Sequence, residues 1–163
     1  MTIDKTACIF GHRKIAVTEG LLTRLQEKIE ELILCDGITT FLFGSKSEFD
    51  DLCYRVVSDL KNKYSEIERI YVRAEFPYIS DSYKAFLLKD YEGTYYPQKI
   101  LGAGRASYVE RNYEMIDNSS ICIVYCDENY LPSAKVNAVS GTKIAYAYAL
   151  RKNKRIINLK ESD

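Results

Sequence analysis

The sequence predicts an α/β fold in which a central, mainly parallel five-stranded sheet lies between two layers of helices. Short apolar runs alternate with segments whose apolar residues recur at helical spacing, in the order β-α-β-α-β-insertion-α-β-α-β. The apolar runs are nearly continuous, as in strands that are buried on both faces of a parallel sheet. A chain of 163 residues with 47% hydrophobic content is long enough for one domain with a buried core.

Each predicted strand is a short apolar run rich in β-branched or aromatic residues, and each predicted helix has an apolar residue at every third or fourth position. Thr18 is expected to cap the first helix and Ser107 the third, because hydroxyl side chains accept from free amides at a helix start. The strands are predicted at 7–10, 38–43, 67–72, 121–126 and 155–159, and the helices at 18–34, 49–64, 107–116 and 142–150.

The segment at about 74–107 differs from the rest of the chain. It contains Pro77, Pro97 and many of the tyrosines, and only residues 83–91 have the spacing of a short helix. We interpret it as a largely irregular insertion after the third strand that covers the sheet edge. Long ordered loops in a compact domain are usually functional. The whole chain, 1–163, is therefore predicted to be a single ligand-binding domain.

Composition restricts the class of partner. The 23 basic and 23 acidic residues balance, which argues against a nucleic acid partner, since such proteins usually carry a basic excess; a local basic patch is compatible with the numbers. No apolar run approaches 18 residues and no signal-peptide pattern is present, so we expect a cytoplasmic protein without a membrane partner. The five cysteines fit reduced core positions.

Turns that carry glycine or hydroxyl residues stand where a strand ends or a helix begins. They lie at 10–13, 43–45, 102–105 and 140–143. A helix start leaves free N–H groups that attract anions, and the carboxyl ends of parallel strands meet at one edge of the sheet. The sequence therefore predicts a site for a phosphorylated ligand at that edge.

Several side chains in these turns have both a binding and a structural interpretation. The Arg13 guanidinium suits a bidentate contact to phosphate, and the His12 ring suits a hydrogen bond to phosphate or ribose. The alternative is that both side chains stabilise the turn. Gly44 and Ser45 are expected to let the backbone approach a phosphate. Asp50 lies in the first turn of the second helix, where a carboxylate also stabilises the helix dipole.

A second group lies near the third predicted helix. Tyr108, Arg111 and Asn112 share one helix face, preceded by Arg105, and Arg73 ends the third strand. They are predicted to clamp a phosphate and to stack on a base, or else to form a solvated face with ordinary ion pairs. The 14 tyrosines favour such stacking or an oligomer interface.

The sequence shows no catalytic pair, metal motif or cofactor fingerprint. The candidate ligand-binding residues are drawn from all of the segments above. They are Gly11, His12, Arg13, Gly44, Ser45, Asp50, Arg73, Arg105, Tyr108, Arg111, Asn112, Ser140, Gly141, Thr142 and Lys143.

Eight segments taken in order resemble the SLOG superfamily, most closely its small stand-alone bacterial and phage members related to YpsA. They are CIFGHR (8–13), FGS (43–45), FD (49–50), YVRAE (71–75), YVERN (108–112), MID (115–117), YCD (125–127) and SGTK (140–143). The resemblance implies a Rossmann-like three-layer fold and a nucleotide-derived ligand, and relatives often self-associate, so a homo-oligomer is expected.

Three functions follow from the resemblance. Its relatives include sensor domains that bind NAD-derived signals in antiphage defence, which favours a non-catalytic binder of a nucleotide or ADP-ribose-type signal, acting as a sensor or a sponge. LOG phosphoribohydrolases suggest N-glycosidic hydrolysis instead, but their catalytic glutamate position falls on Ala145, so Glu75, Asp50 or Asp127 would have to replace it. The relative DprA suggests single-stranded DNA binding, which neutral net charge disfavours.

Overall fold

The computed structural model describes residues 2–129 and 140–160, which form one six-stranded parallel sheet with helices on both faces. The strands are β1 (Thr6–Gly11), β2 (Thr40–Phe43), β3 (Glu68–Val72), β4 (Gly93–Tyr95), β5 (Ile121–Tyr125) and β6 (Arg155–Asn158). Their order in the sheet is β4-β3-β2-β1-β5-β6, and all five pairings are parallel. The order reverses between β1 and β5, and ligands of such sheets bind beyond the carboxyl ends of strands at that reversal.

The prediction of five strands is wrong because the insertion supplies a sixth. β4 has only three residues and begins with a glycine, so no apolar run marks it. Its pairing with β3 is fixed by tertiary contacts: Thr94 donates from Oγ1 to the Tyr71 carbonyl at 2.8 Å, and the Arg73 amide donates to the Tyr95 carbonyl at 2.8 Å. The insertion therefore extends the sheet instead of only covering its edge.

The helices pack on both faces of the sheet around two clusters of buried apolar side chains. They are α1 (Glu19–Cys35), α2 (Glu48–Lys61), α3 (Asp81–Leu87), α4 (Ser107–Asp117) and α5 (Gly141–Arg151). One cluster joins α1 and α2 to the face that carries Ile9 and Phe41, and the other joins α4 and α5 to the face that carries Cys8 and Leu42. The predicted three-layer α/β architecture is confirmed.

Hydroxyl caps begin most of these helices. The Thr18 and Ser47 side chains accept from backbone amides at the starts of α1 and α2, and Ser140 does so at α5. Ser107 does not cap α4 as predicted, because a 3-10 turn at Gly104–Ala106 leads into the helix, and its hydroxyl donates to the Gly104 carbonyl. In the described part of the chain, every helix is too short or too polar to cross a bilayer.

Candidate functional site

A cleft with two adjoining compartments lies at the carboxyl edge of the sheet, at the reversal of strand order. The first compartment, about 410 Å³, opens between the ends of β2 and β3 and the insertion, and the second, about 500 Å³, between the ends of β1 and the start of α5. Both are lined by Arg13, Ser45, Lys46, Tyr108 and Arg111, so the two spaces form one continuous groove.

The second compartment brings together the predicted turns from opposite ends of the chain. Gly11, His12 and Ser45 line it beside Ser140 and Gly141. Ser140 caps α5 by accepting from the Thr142 amide at 3.2 Å, which sets the helix start against the groove. A Cβ atom at Gly141 would meet no atom of residues 2–129 or 140–160 within 4 Å, so these residues leave the backbone open to a ligand there. An anion in this position is stabilised by the free amides of the helix.

The glycines at the ends of β1 and β2 serve packing more than ligand approach. A Cβ at Gly11 would lie 2.5 Å from the Phe49 ring, and one at Gly44 would lie 2.7 Å from the Met115 sulfur. Real Cβ contacts are not this short, so α2 and α4 pack directly against these two backbones. Room for a phosphate was the predicted reason for Gly44 alone, and that stays a prediction. Close helix packing beneath the groove explains why both Gly11 and Gly44 are glycines.

His12 is buried and joins three elements at the floor of the second compartment. Its Nε2 accepts from the Asp127 amide at 2.8 Å, and its Nδ1 lies 3.5 Å from the Ser140 hydroxyl. Burial lowers the pKa of His12 below its ordinary value, so the ring is neutral at pH 7. These contacts match the turn-stabilising interpretation, because a neutral, engaged imidazole adds no positive charge to the groove.

Arg111 is 3% exposed and lies between the groove and the sheet. Its guanidinium donates to the Gly44 carbonyl at 2.8 Å and to the Val72 carbonyl at 3.2 Å, and its Nε donates to Asn112 at 3.0 Å. It also lies 5.7 Å from the Tyr108 ring centroid. Arg111 therefore fixes the ends of β2 and β3 to α4, and is not the solvated side chain of an ordinary helix face.

Asp50 is buried beneath the turn after β2, outside both compartments. Its Oδ1 accepts from the hydroxyls of Ser45 and Ser47, each at 2.7 Å. Burial raises the pKa of Asp50 to about 6, although these two hydroxyls and the Arg111 charge favour the ionised form. The carboxylate thus holds the Ser45 turn in place and gives Arg111 an opposing charge.

The cations of the groove differ in how firmly they are held. Arg73 is buried and bonds the Phe76 carbonyl and Thr94, which secures the insertion. Arg13 and Lys46 are exposed, and no carboxylate within residues 2–129 and 140–160 pairs with either. Two exposed cations beside the buried Arg73 are suited to an anionic ligand.

Two predicted residues lie away from the groove. Arg105 is exposed in the 3-10 turn before α4 and lines neither compartment. Lys143 donates from Nζ to the Glu128 carbonyl and also lines neither compartment. The remaining candidates, apart from Asp50, line one compartment or both: Gly11, His12, Arg13, Gly44, Ser45, Arg73, Tyr108, Arg111, Asn112, Ser140, Gly141 and Thr142.

Sequence reasoning missed several lining residues. Lys46 lies next to Gly44-Ser45 and lines both compartments, so its position in that turn was a usable signal. Glu75, predicted only as a possible catalytic carboxylate and not as a lining residue, accepts a hydrogen bond from the Tyr108 hydroxyl across the first compartment. Tyr71 and Tyr83 also line that compartment, but nothing in a tyrosine-rich segment distinguishes them. No group of three or more potential metal ligands occurs in the described ranges.

Comparison with solved structures finds a similar fold in DNA processing protein A from Helicobacter pylori, a protein described for its single-stranded DNA binding mode. The two chains are 18% identical, with a TM-score of 0.54 over 99% of this chain and 69% of the other. The chain is similar in fold to DNA processing protein A. The similarity confirms the Rossmann-like fold. Membership of the SLOG superfamily and of its YpsA-related subfamily stays a prediction. No protein-family model and no curated protein sequence matches the chain.

The prediction that a nucleic acid partner is unlikely is wrong. It is contradicted by the similarity in fold to DNA processing protein A, which is described for its single-stranded DNA binding mode. The physical reason is that net charge averages over the whole surface. In this chain Arg13, Lys46, Arg73 and Arg111 line one groove, where Glu75 is the single carboxylate among the described lining residues.

Proposed function

We propose that the chain binds a phosphorylated nucleotide ligand in the groove at the carboxyl edge of the sheet, without converting it. The observation that carries the proposal is the convergence of Gly11, Ser45 and Gly141 around one compartment together with Arg13. The start of α5 and the Arg13 guanidinium, which pairs with no carboxylate within residues 2–129 and 140–160, are complementary to a phosphate.

The size of the groove supports a ligand with more than one moiety. Two compartments of about 410 and 500 Å³ share the walls formed by Ser45, Lys46 and Arg111. A phosphate at the shared wall leaves one space on each side for a sugar or a base. Tyr108, 51% exposed at this wall, offers a ring face for stacking.

The side chains around the groove favour holding over hydrolysis. Ala145, at the position of the LOG glutamate, is an apolar core residue. Of the carboxylates named as replacements, Glu75 accepts from Tyr108, Asp127 accepts from the Asn129 amide, and Asp50 lies outside both compartments. A general acid or base must reach the scissile bond, and of these three carboxylates only Glu75, whose Oε1 accepts from Tyr108, lines either compartment.

Calorimetric titration with AMP, GMP, NAD and ADP-ribose, and with adenosine and guanosine as phosphate-free controls, tests this function. We expect at least one phosphorylated compound to bind, with its nucleoside at least about tenfold weaker, since charge-assisted hydrogen bonds to phosphate would be lost. Chromatography of each mixture after incubation is expected to show no free base. Absence of binding to all four compounds contradicts the proposal, and release of base contradicts its non-catalytic part.

A second candidate is the binding of single-stranded DNA along the same groove, favoured by the fold shared with DNA processing protein A. The continuous groove and its cations suit a phosphate backbone, and exposed rings suit base stacking. Fluorescence anisotropy with oligothymidylates of increasing length separates the two candidates. Affinity that rises with length and falls steeply with salt supports the DNA strand, whereas affinity that is already complete at one or two nucleotides supports the small ligand.

A further inference from the structure

We propose that the first compartment holds the base of the bound nucleotide by stacking, and that the rings of Phe76 and Tyr83 form an aromatic platform for it. Both side chains belong to the insertion and line this compartment of about 410 Å³. The inference rests on the proposed nucleotide function, and it adds where the base lies and which side chains hold it.

The first observation is that Phe76 stands where neither its backbone nor its burial favours a phenylalanine. Its φ angle is 59°, in the left-handed region that glycine adopts freely and bulky residues rarely adopt. Phe76 is also 58% exposed, so burial of the ring does not offset this strain. Strained residues cluster at ligand sites, where the position of a side chain matters more than its cost.

The second observation is that a buried side chain fixes the strained residue to the sheet. Arg73 donates from Nε to the Phe76 carbonyl at 3.3 Å and from Nη1 to the Thr94 hydroxyl at 3.0 Å. Arg73 is buried, and Thr94 belongs to β4. The backbone that carries the exposed ring is therefore held in place, and a ring that is already positioned loses little freedom when a ligand binds.

The third observation is that Phe76 is one of three neighbouring rings on the insertion. The ring centroids of Phe76 and Tyr83 lie 6.4 Å apart, edge to face, and those of Tyr83 and Phe86 lie 6.3 Å apart in a stacked arrangement. Tyr83 and Phe86 are both on α3. Exposed aromatic rings are the usual stacking partners of bases that are held outside a duplex.

The charges of the same compartment identify the kind of flat ligand that fits. Arg13, Lys46 and Arg73 line it, and Glu75 is the one carboxylate among its described lining residues. A neutral flat ligand would use only the rings, whereas a nucleotide uses the rings and the cations together. Arg13 and Lys46 also line the second compartment, so a phosphate at this shared wall places the attached base in reach of the aromatic platform.

Calorimetric titration of the wild type and three variants tests the proposal, with AMP, GMP, NAD and ADP-ribose as ligands and ribose 5-phosphate as the control without a base. We expect Phe76→Gly to weaken the best-bound of the four at least about fivefold, because a stacking partner of the base is lost. Phe76→Tyr keeps a flat ring and is expected to stay within about twofold of the wild type. Tyr78 is 84% exposed and lines neither compartment, so Tyr78→Gly is the matched control and is expected to bind like the wild type.

Thermal unfolding of Phe76→Gly distinguishes a binding role of the ring from a structural one. Glycine relieves the strain at this φ angle, so the melting temperature is expected to equal or exceed that of the wild type. A clearly lower melting temperature would show that the Phe76 ring supports the fold, and would overturn the platform.

The binding outcomes separate this inference from the function on which it rests. Unchanged affinity in Phe76→Gly, or an equal loss in Phe76→Tyr, overturns the platform and leaves the phosphate site intact. Equal affinity of the wild type for its best-bound nucleotide and for ribose 5-phosphate does the same, and this comparison needs no variant, so it decides the matter even if Phe76→Gly does not fold. Binding of none of the five compounds to the wild type overturns both.

Discussion

The guanidinium of Arg111 donates to the carbonyl oxygen of Gly44 at 2.8 Å, across 67 positions of sequence. The same group bonds the Val72 carbonyl, so one buried cation joins the residue after β2 and the last residue of β3 to α4. Helix-based side chains that hold strand ends in this way make the floor of the groove rigid. Rigid placement is what a binding site needs from its supporting residues.

Arg111→Lys is therefore expected to destabilise the fold. A lysine has no planar fork to bond two carbonyls at once, and Asp50 would lose part of its opposing charge. We expect a loss of about 2–4 kcal/mol in the free energy of unfolding, measured by urea denaturation. Arg55→Lys, on the exposed face of α2, is the matched control and should change little. A stability equal to the wild type in Arg111→Lys would contradict the anchoring role.

Gly11→Ala and Gly141→Ala are expected to differ sharply in stability. The new Cβ at position 11 would lie 2.5 Å from the Phe49 ring, whereas at position 141 it would meet no atom of residues 2–129 or 140–160 within 4 Å. Overpacking of this kind costs about 1–3 kcal/mol. Alanine at an open helix position is neutral or stabilises by up to about 1 kcal/mol relative to glycine. Thermal unfolding of the two proteins gives the comparison. Similar melting temperatures would show that α2 does not pack against the end of β1 as described.

Asp50 is expected to make stability fall as the pH rises from about 4 to about 6. Its pKa in the folded protein is raised to about 6, so the folded state binds the proton more tightly than the unfolded state over that window. The stabilisation from protonation is fully present below the unfolded pKa and is lost as the pH passes the folded one, an effect of about 2–3 kcal/mol. Asp50→Asn removes this titration.

The measurement is the difference in unfolding free energy between wild type and Asp50→Asn at pH 4.5 and pH 7.5. We expect Asp50→Asn to gain stability relative to the wild type between pH 4.5 and pH 7.5, because at the higher pH only the wild type carries a buried negative charge at position 50. His12, whose pKa is lowered by burial, has the opposite effect on stability, but it is common to both proteins and cancels. A difference that does not change with pH would mean that the Asp50 carboxyl titrates normally.

Much of the fold was predictable from local patterns, because continuous apolar runs and helical spacing mark β1, β5, α1 and α2 without reference to the rest of the chain. The short β4 was not predictable. Its three residues carry no apolar signal, and it is positioned by the ion pair between Arg69 and Glu92, 2.8 Å apart, and by Thr94. Contacts between distant segments override weak local propensity in such cases.

The location of the candidate groove was predictable from the sequence, but the role of each lining residue was less predictable. Parallel strands must end at one edge, which is why turns at both ends of the chain were expected to meet there. The packing of Gly11 against Phe49 and the capture of two carbonyls by Arg111 depend on side-chain positions across the fold, so no spacing pattern reveals them.

The most direct test of the phosphate groove is the affinity of AMP and GMP for the wild type, Arg13→Gln and Lys14→Gln, measured by calorimetric titration. Arg13 lines both compartments, and the neighbouring exposed Lys14 lines neither. We predict that Arg13→Gln weakens the better-bound nucleotide at least about tenfold, while Lys14→Gln stays within about twofold of the wild type. Equal affinities for the wild type and Arg13→Gln, or no binding of either nucleotide to the wild type, would contradict the account.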